Sequence, residues 1–306
     1  MNLHEDGEMF TQLIEAAADY MGLADTGIIE KDYFVTFFLQ KIIEKLPNII
    51  FKGGTSLSKC YKIINRFSED IDLNVDAGAK KLTEGQRRRL KQDIVSIIAD
   101  TGLSLENAEQ IRSRRDFNRY VIRYKSSGLY GSFNQYLIVE TSVSIKSFPT
   151  ETLNAASFIY DFLLANNAET EIEKYGLEPF KVLVQSINRT FIDKVFAIAD
   201  YYLDGHIENH SRHIYDLYKL YPQISFNSGF QELVKEVREI RKPHIVCHSA
   251  KDGVDLPELL RKIINDDVYR SDYNRITAAL LFDKVQYSEA VTVLRRIMDD
   301  RFFEAN

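Results

Sequence analysis

Short stretches with the two-residue periodicity of β-strands alternate with stretches of helical periodicity in the first half of the chain. Residues 48–52 (NIIFK) form a short apolar run, and residues 70–75 (DIDLNV) alternate polar with apolar side chains, so both predict strands. Residues 119–126 and 135–145 predict two further strands joined as a hairpin. Residues 55–64 (TSLSKCYKII), between the first two strands, carry apolar side chains three to four apart and predict a helix.

Helical periodicity dominates the rest of the chain. Residues 8–20, 27–46 and 84–100 predict helices, and the sequence turns mostly helical from about residue 155. The later stretches with helical spacing are 188–204, 211–221, 228–241, 256–265, 272–282 and 287–302. We therefore predict an α+β protein in which residues 1–150 hold N-terminal helices and an α/β core with a mixed sheet. Residues 151–306 form a mostly helical C-terminal domain in this prediction.

The composition favours a globular protein of the cytoplasm. The 306 residues are 45% hydrophobic and 12% aromatic, which is enough to bury a sizeable core. Two cysteines are too few for a disulfide framework, so a reducing compartment is expected. The acidic N-terminal sequence MNLHEDGEMF lacks the pattern of a secretory signal, and no apolar run approaches the ~18 residues of a membrane span.

The net charge of −6 conceals a basic region over residues 80–125. This region holds twelve Lys and Arg against six acids, which leaves the remainder of the chain strongly acidic. A basic segment in an acidic chain indicates a surface for a polyanion such as RNA, although a solvated helix and hairpin fit the same pattern. Phe117, Tyr120 and Tyr124 lie among these cations, and aromatic rings can stack on unpaired bases.

A glycine turn follows the first predicted strand. Gly53 and Gly54 let the backbone approach a ligand closely, and Thr55 and Ser56 open the predicted helix. The free amides at the start of that helix would favour phosphate oxygens. For these four residues alone, a tight strand-to-helix turn that binds no ligand is the commoner explanation.

A pair of aspartates lies in the next predicted strand. Asp70 and Asp72 are two residues apart, so their carboxylates project from one face of the strand. Two neighbouring negative charges favour a bridging cation, and hard oxygen ligands favour Mg²⁺ that shares its shell with substrate phosphates. A helix of about eleven residues between the two strands would bring the glycine turn close to these aspartates. The alternative is an exposed pair of acids on an edge strand.

Four stretches resemble the AbiEii/AbiGii-type toxins of type IV toxin–antitoxin systems, within the DNA polymerase β-like nucleotidyltransferase superfamily. The segment KGGTSLSKCY…RFSEDIDL (52–73) resembles the first motif of that superfamily. The others are IEKDYFVTFFLQKI (29–42), NRTFIDKVFAIADY (188–201) and SRHIYDLYKL (211–220). The resemblance covers residues 10–225 and implies a nucleotidyltransferase core. It departs from the family pattern at Asp193, where a glutamate is expected.

The resemblance implies further site residues. Glu140, an isolated acid in an apolar strand, is expected as a third metal ligand, with a salt bridge to Arg119 or Arg123 as the alternative. Lys194 corresponds to the family's catalytic lysine, which would bind the triphosphate; by itself, a lysine more often faces solvent.

Asp216 corresponds to the family's other essential acid. It could orient Lys194, accept a proton from the acceptor hydroxyl, or pair with Arg212 one helical turn away. Ser68 lies two residues before Asp70, so its hydroxyl could contact the nucleotide. Arg66 could contact a phosphate, and an exposed surface position is the alternative.

Together these features predict a Mg²⁺-dependent enzyme that transfers a nucleoside monophosphate from an NTP to an acceptor. The resemblance implies an RNA acceptor, plausibly the tRNA 3′ end, which would block translation, and it implies a cognate antitoxin. The alternatives are transfer to a small molecule or a protein side chain, and a non-catalytic protein of the same fold that binds RNA or a partner.

Overall fold

The computed structural model describes residues 1–75, 82–112, 115–128 and 135–304 and divides the chain into two compact units. The first unit comprises residues 1–61 and 68–184, and the second comprises residues 62–67 and 185–306. The structure thus divides the chain after Val184, whereas the sequence analysis placed the division at residue 150. None of the helices in the described ranges is long and apolar enough to cross a bilayer.

Helices and strands are interleaved in the first unit. Its helices are α1 (Gly7–Met21), α2 (Gly27–Lys45), α3 (Gly53–Lys59), α4 (Glu84–Asp100), α5 (Phe158–Ala165) and α6 (Glu169–Tyr175). Its strands are β1 (Ile49–Lys52), β2 (Asp70–Val75), β3 (Ser104–Leu105), β4 (Phe117–Arg123), β5 (Tyr136–Ser142), β6 (Thr150–Ala155) and β7 (Phe180–Gln185), the last of which ends at the unit boundary.

The second unit is helical. Its helices are α7 (Ile187–Leu203), α8 (Arg212–Leu220), α9 (Ser228–Arg241), α10 (Leu256–Asn265), α11 (Arg270–Asp272), α12 (Ala278–Leu280), α13 (Tyr287–Ala290) and α14 (Thr292–Asp299), with a π-helical turn at Tyr273–Thr277 between α11 and α12. This arrangement confirms the predicted α+β class.

The described strands form one mixed sheet in the order β3-β4-β5-β2-β1-β7-β6. β1 pairs antiparallel with β2 and parallel with β7, while β2 pairs parallel with β5 and β5 pairs antiparallel with β4. The predicted antiparallel return from the first strand to the second is therefore confirmed, and so is the hairpin of β4 and β5.

Side chains alternate between two faces of the central strands. Ile71 and Leu73 of β2 are buried in the hydrophobic core, together with Leu137 and Val139 of β5. The intervening residues Asp70, Asp72 and Glu140 are only partly buried. The alternation predicted from the sequence thus directs the acidic side chains away from the core.

The helix predicted over residues 55–64 is shorter than expected and begins earlier. α3 covers seven residues, and Lys62 adopts a φ of +55°, which a right-handed helix cannot include. Three strands of the described residues were also missed. β3 has only two residues, while β6, a polar edge strand, and β7 lie in the part after about residue 150 that was expected to be mostly helical.

Three consecutive charged residues of α2 are buried and contact the elements around the acidic pair. Lys31 forms an ion pair with Glu69, directly before β2. Asp32 accepts a hydrogen bond of 2.6 Å from Lys59, the last residue of α3, and Glu30 accepts one of 3.0 Å from Ser126. The Glu-Lys-Asp run therefore fixes α3 and the start of β2 within the first unit. Three adjacent charges directly before the mostly apolar residues 33–39 of the same helix are the sequence signal for this role.

Candidate active site

The glycine turn and the second aspartate lie side by side in the first unit. Lys52, the last residue of β1, is paired with Asp72 of β2, and α3 begins at the next residue. Gly53 has a φ of +82°, and a Cβ at this position would overlap Asp72 Oδ2 and lie 3.1 Å from Asp72 Cγ. The close approach of backbone and carboxylate therefore requires glycine.

The third predicted acid lies on the neighbouring strand, in register with the second. Asp72 is paired with Glu140 across the parallel β2–β5 ladder, and Asp70 is paired with Ile138. Paired residues of adjacent strands point to the same face, so all three carboxylates share one surface of the sheet. The sequence predicted that Asp70 and Asp72 lie on the same face of their strand. That Glu140 is paired with Asp72 could be seen only from the order and register of the strands in the structure.

The electrostatics of this surface show an excess of negative charge. Burial, together with the charges of Asp72 and Asp70, raises the pKa of Glu140 to about 7. Arg119, which is opposite Glu140 on β4, opposes this shift, but its guanidinium is 3.8 Å from the carboxylate and largely exposed. The predicted salt bridge to Arg119 thus exists, and it leaves the pKa of Glu140 raised.

These residues fit a divalent cation that shares its ligands with the substrate. Within the described ranges, no group of three or more His, Cys, Asp or Glu is arranged to hold a metal ion by itself. Mg²⁺ is held in many phosphoryl-transfer sites by one or two carboxylates, waters and substrate phosphates. The carboxylates of Asp70, Asp72 and Glu140 supply the hard oxygens that such an ion needs, and the two aspartates help to raise the pKa of Glu140.

Gly53→Ala is expected to reduce nucleotidyl transfer by about a hundredfold, because the added methyl group displaces the Asp72 carboxylate. Gly22→Ala is the matched control, since Gly22 also has a positive φ of +67° but a Cβ there meets nothing within 4 Å. Both variants should lose about 1 kcal/mol of unfolding free energy to backbone strain. Thermal unfolding and transfer assays on both variants test this; equal activities would contradict the role given to Gly53.

Glu140→Gln is expected to stabilise the metal-free protein increasingly as the pH rises from about 5 to 8. The folded-state pKa of Glu140 lies near 7, above the ordinary 4.5, so its ionisation favours the unfolded chain across this range. Glutamine cannot ionise, so the variant does not lose this stability as the pH rises. Differential scanning fluorimetry in EDTA at several pH values measures the effect, and a melting-temperature difference that does not change with pH would contradict it. Added Mn²⁺ should stabilise the wild type more than the variant.

The hydroxyl groups near the glycine turn are engaged within the protein. Thr55 and Ser56 are buried, and their hydroxyls donate to the backbone carbonyls of Asp70 (2.5 Å) and Gly53 (2.9 Å). Ser68 Oγ lies 3.0 Å from Thr55 Oγ1. In this structure these side chains hold the turn against the start of β2, and direct contact with a nucleotide remains a prediction for them.

A buried cluster of charges lies in the second unit. Asp216 of α8 is fully buried and receives two hydrogen bonds from Arg66, at 2.7 and 2.8 Å, and one of 2.7 Å from Lys194 of α7. Arg66 is itself only 2% exposed, so the alternative of a surface arginine is wrong. Lys194 is buried as well, which removes the solvent-facing alternative for that residue.

This geometry favours one of the roles considered for Asp216. Burial alone would raise its pKa, but the charges of Arg66 and Lys194 lower it below its usual range. A carboxylate with three charged donors is a poor proton acceptor, so Asp216 orients Lys194. His213 adds a ring nitrogen 3.5 Å from Lys194 Nζ, and sequence reasoning gave this histidine no role.

The basic region is only partly a stacking surface. Phe117 is 49% exposed, but Tyr120 and Tyr124 are buried in the core, and Tyr124 stacks on Phe34. The expectation that all three rings could stack on bases is therefore wrong for these two tyrosines. Lys80, Lys81 and Arg114 lie outside the described residues.

A mixed sheet with paired aspartates facing a glycine turn, together with a buried lysine–aspartate pair, has the residues of a nucleotidyltransferase. The chain belongs to the nucleotidyl transferase AbiEii toxin family of type IV toxin–antitoxin systems, whose family model matches residues 38–293. The match confirms the resemblance seen in the sequence over residues 38–225 and extends it to residue 293. No curated protein matches the chain.

Proposed function

We propose that this protein is a Mg²⁺-dependent nucleotidyltransferase toxin that moves a nucleoside monophosphate from an NTP to RNA and releases pyrophosphate. The observation that carries the proposal is the juxtaposition of Gly53 with the Asp72 carboxylate, in register with Glu140. The acceptor proposed is the tRNA 3′ end, whose modification would block translation in the cytoplasm. The cognate antitoxin expected for this family would restrain the activity.

The chain's own residues have distinct roles in this proposal. Asp70, Asp72 and Glu140 hold the ion, which when bound neutralises phosphate charge and polarises the attacking hydroxyl. Gly53 leaves room for the Asp72 carboxylate, and the backbone of Gly53 and Gly54 approaches the nucleotide beside it. Lys194 binds the triphosphate as a compact positive charge, and Asp216 fixes the position of its ammonium group.

Arg66 supports the lysine indirectly. Its guanidinium forms a two-point ion pair with Asp216, which fixes the carboxylate that accepts from Lys194. We therefore propose a positioning role for Arg66 in place of a direct phosphate contact.

The basic region is proposed to hold the RNA backbone. Arg88 and Lys125 of this region are exposed, whereas Arg87 pairs with Asp116 and Arg123 pairs with Glu106. Phosphate contacts made by the exposed cations would release counterions, so RNA binding should weaken steeply with salt.

Incubating the protein with each α-³²P-labelled NTP, Mg²⁺ and total RNA tests the proposal. The wild type should transfer label to RNA, and Asp70→Ala and Lys194→Ala should not. Label on a small molecule or on protein would assign a different acceptor to the same chemistry. Absence of transfer, or transfer that ignores both substitutions, would contradict the proposed mechanism and favour a non-catalytic binding protein.

A further inference from the structure

A cleft of about 580 Å³ lies in the second unit, along the segment 270–288. We call it the 270–288 cleft. The lining includes residues of the π-helical turn Tyr273–Thr277, among them the exposed Asn274, and residues of the segment before α13. A π-helical turn has one more residue than an α-helical turn, and such turns occur frequently at functional sites. The volume falls in the range of about 300–1,000 Å³ that is typical of small-ligand sites.

The cleft adjoins the elements that hold Asp216. Leu281, which lines the cleft, forms an antiparallel bridge with Arg66, the guanidinium partner of Asp216. Asp283, also in the lining, accepts a hydrogen bond of 2.9 Å from the hydroxyl of Tyr215, the residue before Asp216. Leu281 and Asp283 therefore connect the lining of the cleft to Arg66 and Tyr215, which adjoin the buried Lys194–Asp216 cluster in the same unit.

The lining combines apolar surface with amide groups. Leu281, Phe282 and Val285 are partly exposed and offer apolar contact, and the aromatic ring of Phe282 is planar. Asn274 and Gln286 are exposed at the rim, and each side chain has both hydrogen-bond donors and an acceptor. This combination is suited to a planar ring with polar edges, such as a nucleobase.

The charge of the lining agrees with a nucleotide. Arg270 and Lys284 are exposed cations of the lining, and Arg270 is paired with Asp267 at 2.9 Å. The acid among the lining residues, Asp283, is paired with Lys219 at 3.0 Å and with the Tyr215 hydroxyl. The exposed ammonium group of Lys284 is therefore the charge of the lining that favours a ligand carrying a phosphate.

We propose that the 270–288 cleft binds an unpaired nucleotide of the RNA acceptor. The inference rests on the proposed function for the class of acceptor, and it adds where on the second unit that acceptor is recognised. A base held inside a duplex has its edges paired and its faces stacked, so the cleft selects single-stranded RNA. Its contribution is distinct from that of the basic region, because it includes contacts to the base and not only to the phosphate backbone.

Fluorescence anisotropy with a 5′-fluorescein-labelled 12-nucleotide single-stranded RNA tests the inference, without NTP so that no transfer takes place. The double variant Asn274→Ala/Gln286→Ala should raise the Kd about tenfold and leave its salt dependence unchanged, because no phosphate contact is removed. Ala278→Trp, which fills the cleft from another exposed position, should give a similar loss. The control Arg88→Ala/Arg89→Ala on α4 should instead reduce the salt slope by about two.

A Kd within twofold of the wild-type value in both cleft variants would overturn the inference and leave the cleft to a different ligand, such as a protein segment. Equal losses for single-stranded RNA and for a matched duplex would also overturn it. The outcomes separate the two proposals. If the wild type transfers label but the cleft variants bind RNA normally, only the cleft proposal is contradicted. If the cleft variants bind RNA weakly but the wild type transfers no label, only the proposed enzyme activity is contradicted.

Discussion

Asp72→Asn is expected to lower nucleotidyl transfer by about a thousandfold or more. The substitution keeps the size of the side chain but removes the charge that lies against Gly53 and beside Glu140. Metal-assisted charge neutralisation contributes several kcal/mol to such reactions, and each 1.36 kcal/mol corresponds to about a factor of ten in rate. Steady-state transfer of label from NTP to RNA measures the change.

A second measurement separates this loss from misfolding. The charge of Asp72 helps to raise the pKa of Glu140, so Asp72→Asn should lower that pKa and raise the melting temperature of the metal-free protein above pH 7. Asp19→Asn, which makes the same charge change on an exposed position of α1, should leave activity and melting temperature unchanged. An active Asp72→Asn protein would contradict the role assigned to the carboxylate pair.

Asp216→Asn is expected to destabilise the protein by about 3–5 kcal/mol, because it leaves Arg66 and Lys194 buried without their counter-charge. Urea denaturation followed by circular dichroism measures the change in the unfolding free energy. An effect below about 1 kcal/mol would show that the cluster is far better solvated than its burial indicates.

Lys194→Met is the matched comparison for this cluster. Asp216 keeps its two-point ion pair with Arg66 in this variant, so the loss of stability should be less than half of that for Asp216→Asn. Transfer activity should nevertheless fall at least as far in Lys194→Met as in Asp216→Asn, because the charge proposed to bind the triphosphate is gone. A fully active Lys194→Met protein would leave the cluster with a structural role only.

The core of the carboxylate site could be predicted from the sequence because it depends on local periodicity. Alternation in DIDLNV determines that Asp70 and Asp72 share a face, and the apolar residues that alternate with them, Ile71 and Leu73, determine that this face points away from the core. Placing Glu140 opposite Asp72 required the order of strands in the sheet, which periodicity does not contain.

Contacts between distant parts of the sequence account for most of what was missed. Arg66 and Asp216 are 150 residues apart, and nothing local marks the arginine as the partner of a buried acid. The aromatic residues of β4 show a second limit: strand alternation buries Tyr120, and the expectation of base stacking considered only composition. The length of α3 was overestimated because the left-handed Lys62 has no signal in the apolar spacing.

Binding of Mn²⁺, followed by electron paramagnetic resonance at pH 8, tests most directly whether the carboxylates of β2 and β5 form a metal site. Mn²⁺ substitutes for Mg²⁺ at sites built from carboxylate oxygens. With an NTP analogue present, the wild type should bind Mn²⁺ with an affinity at least tenfold higher than Asp72→Asn or Glu140→Gln, while Asp19→Asn should match the wild type. Equal Mn²⁺ affinity in all four proteins would contradict the proposed metal site and the reaction assigned to it.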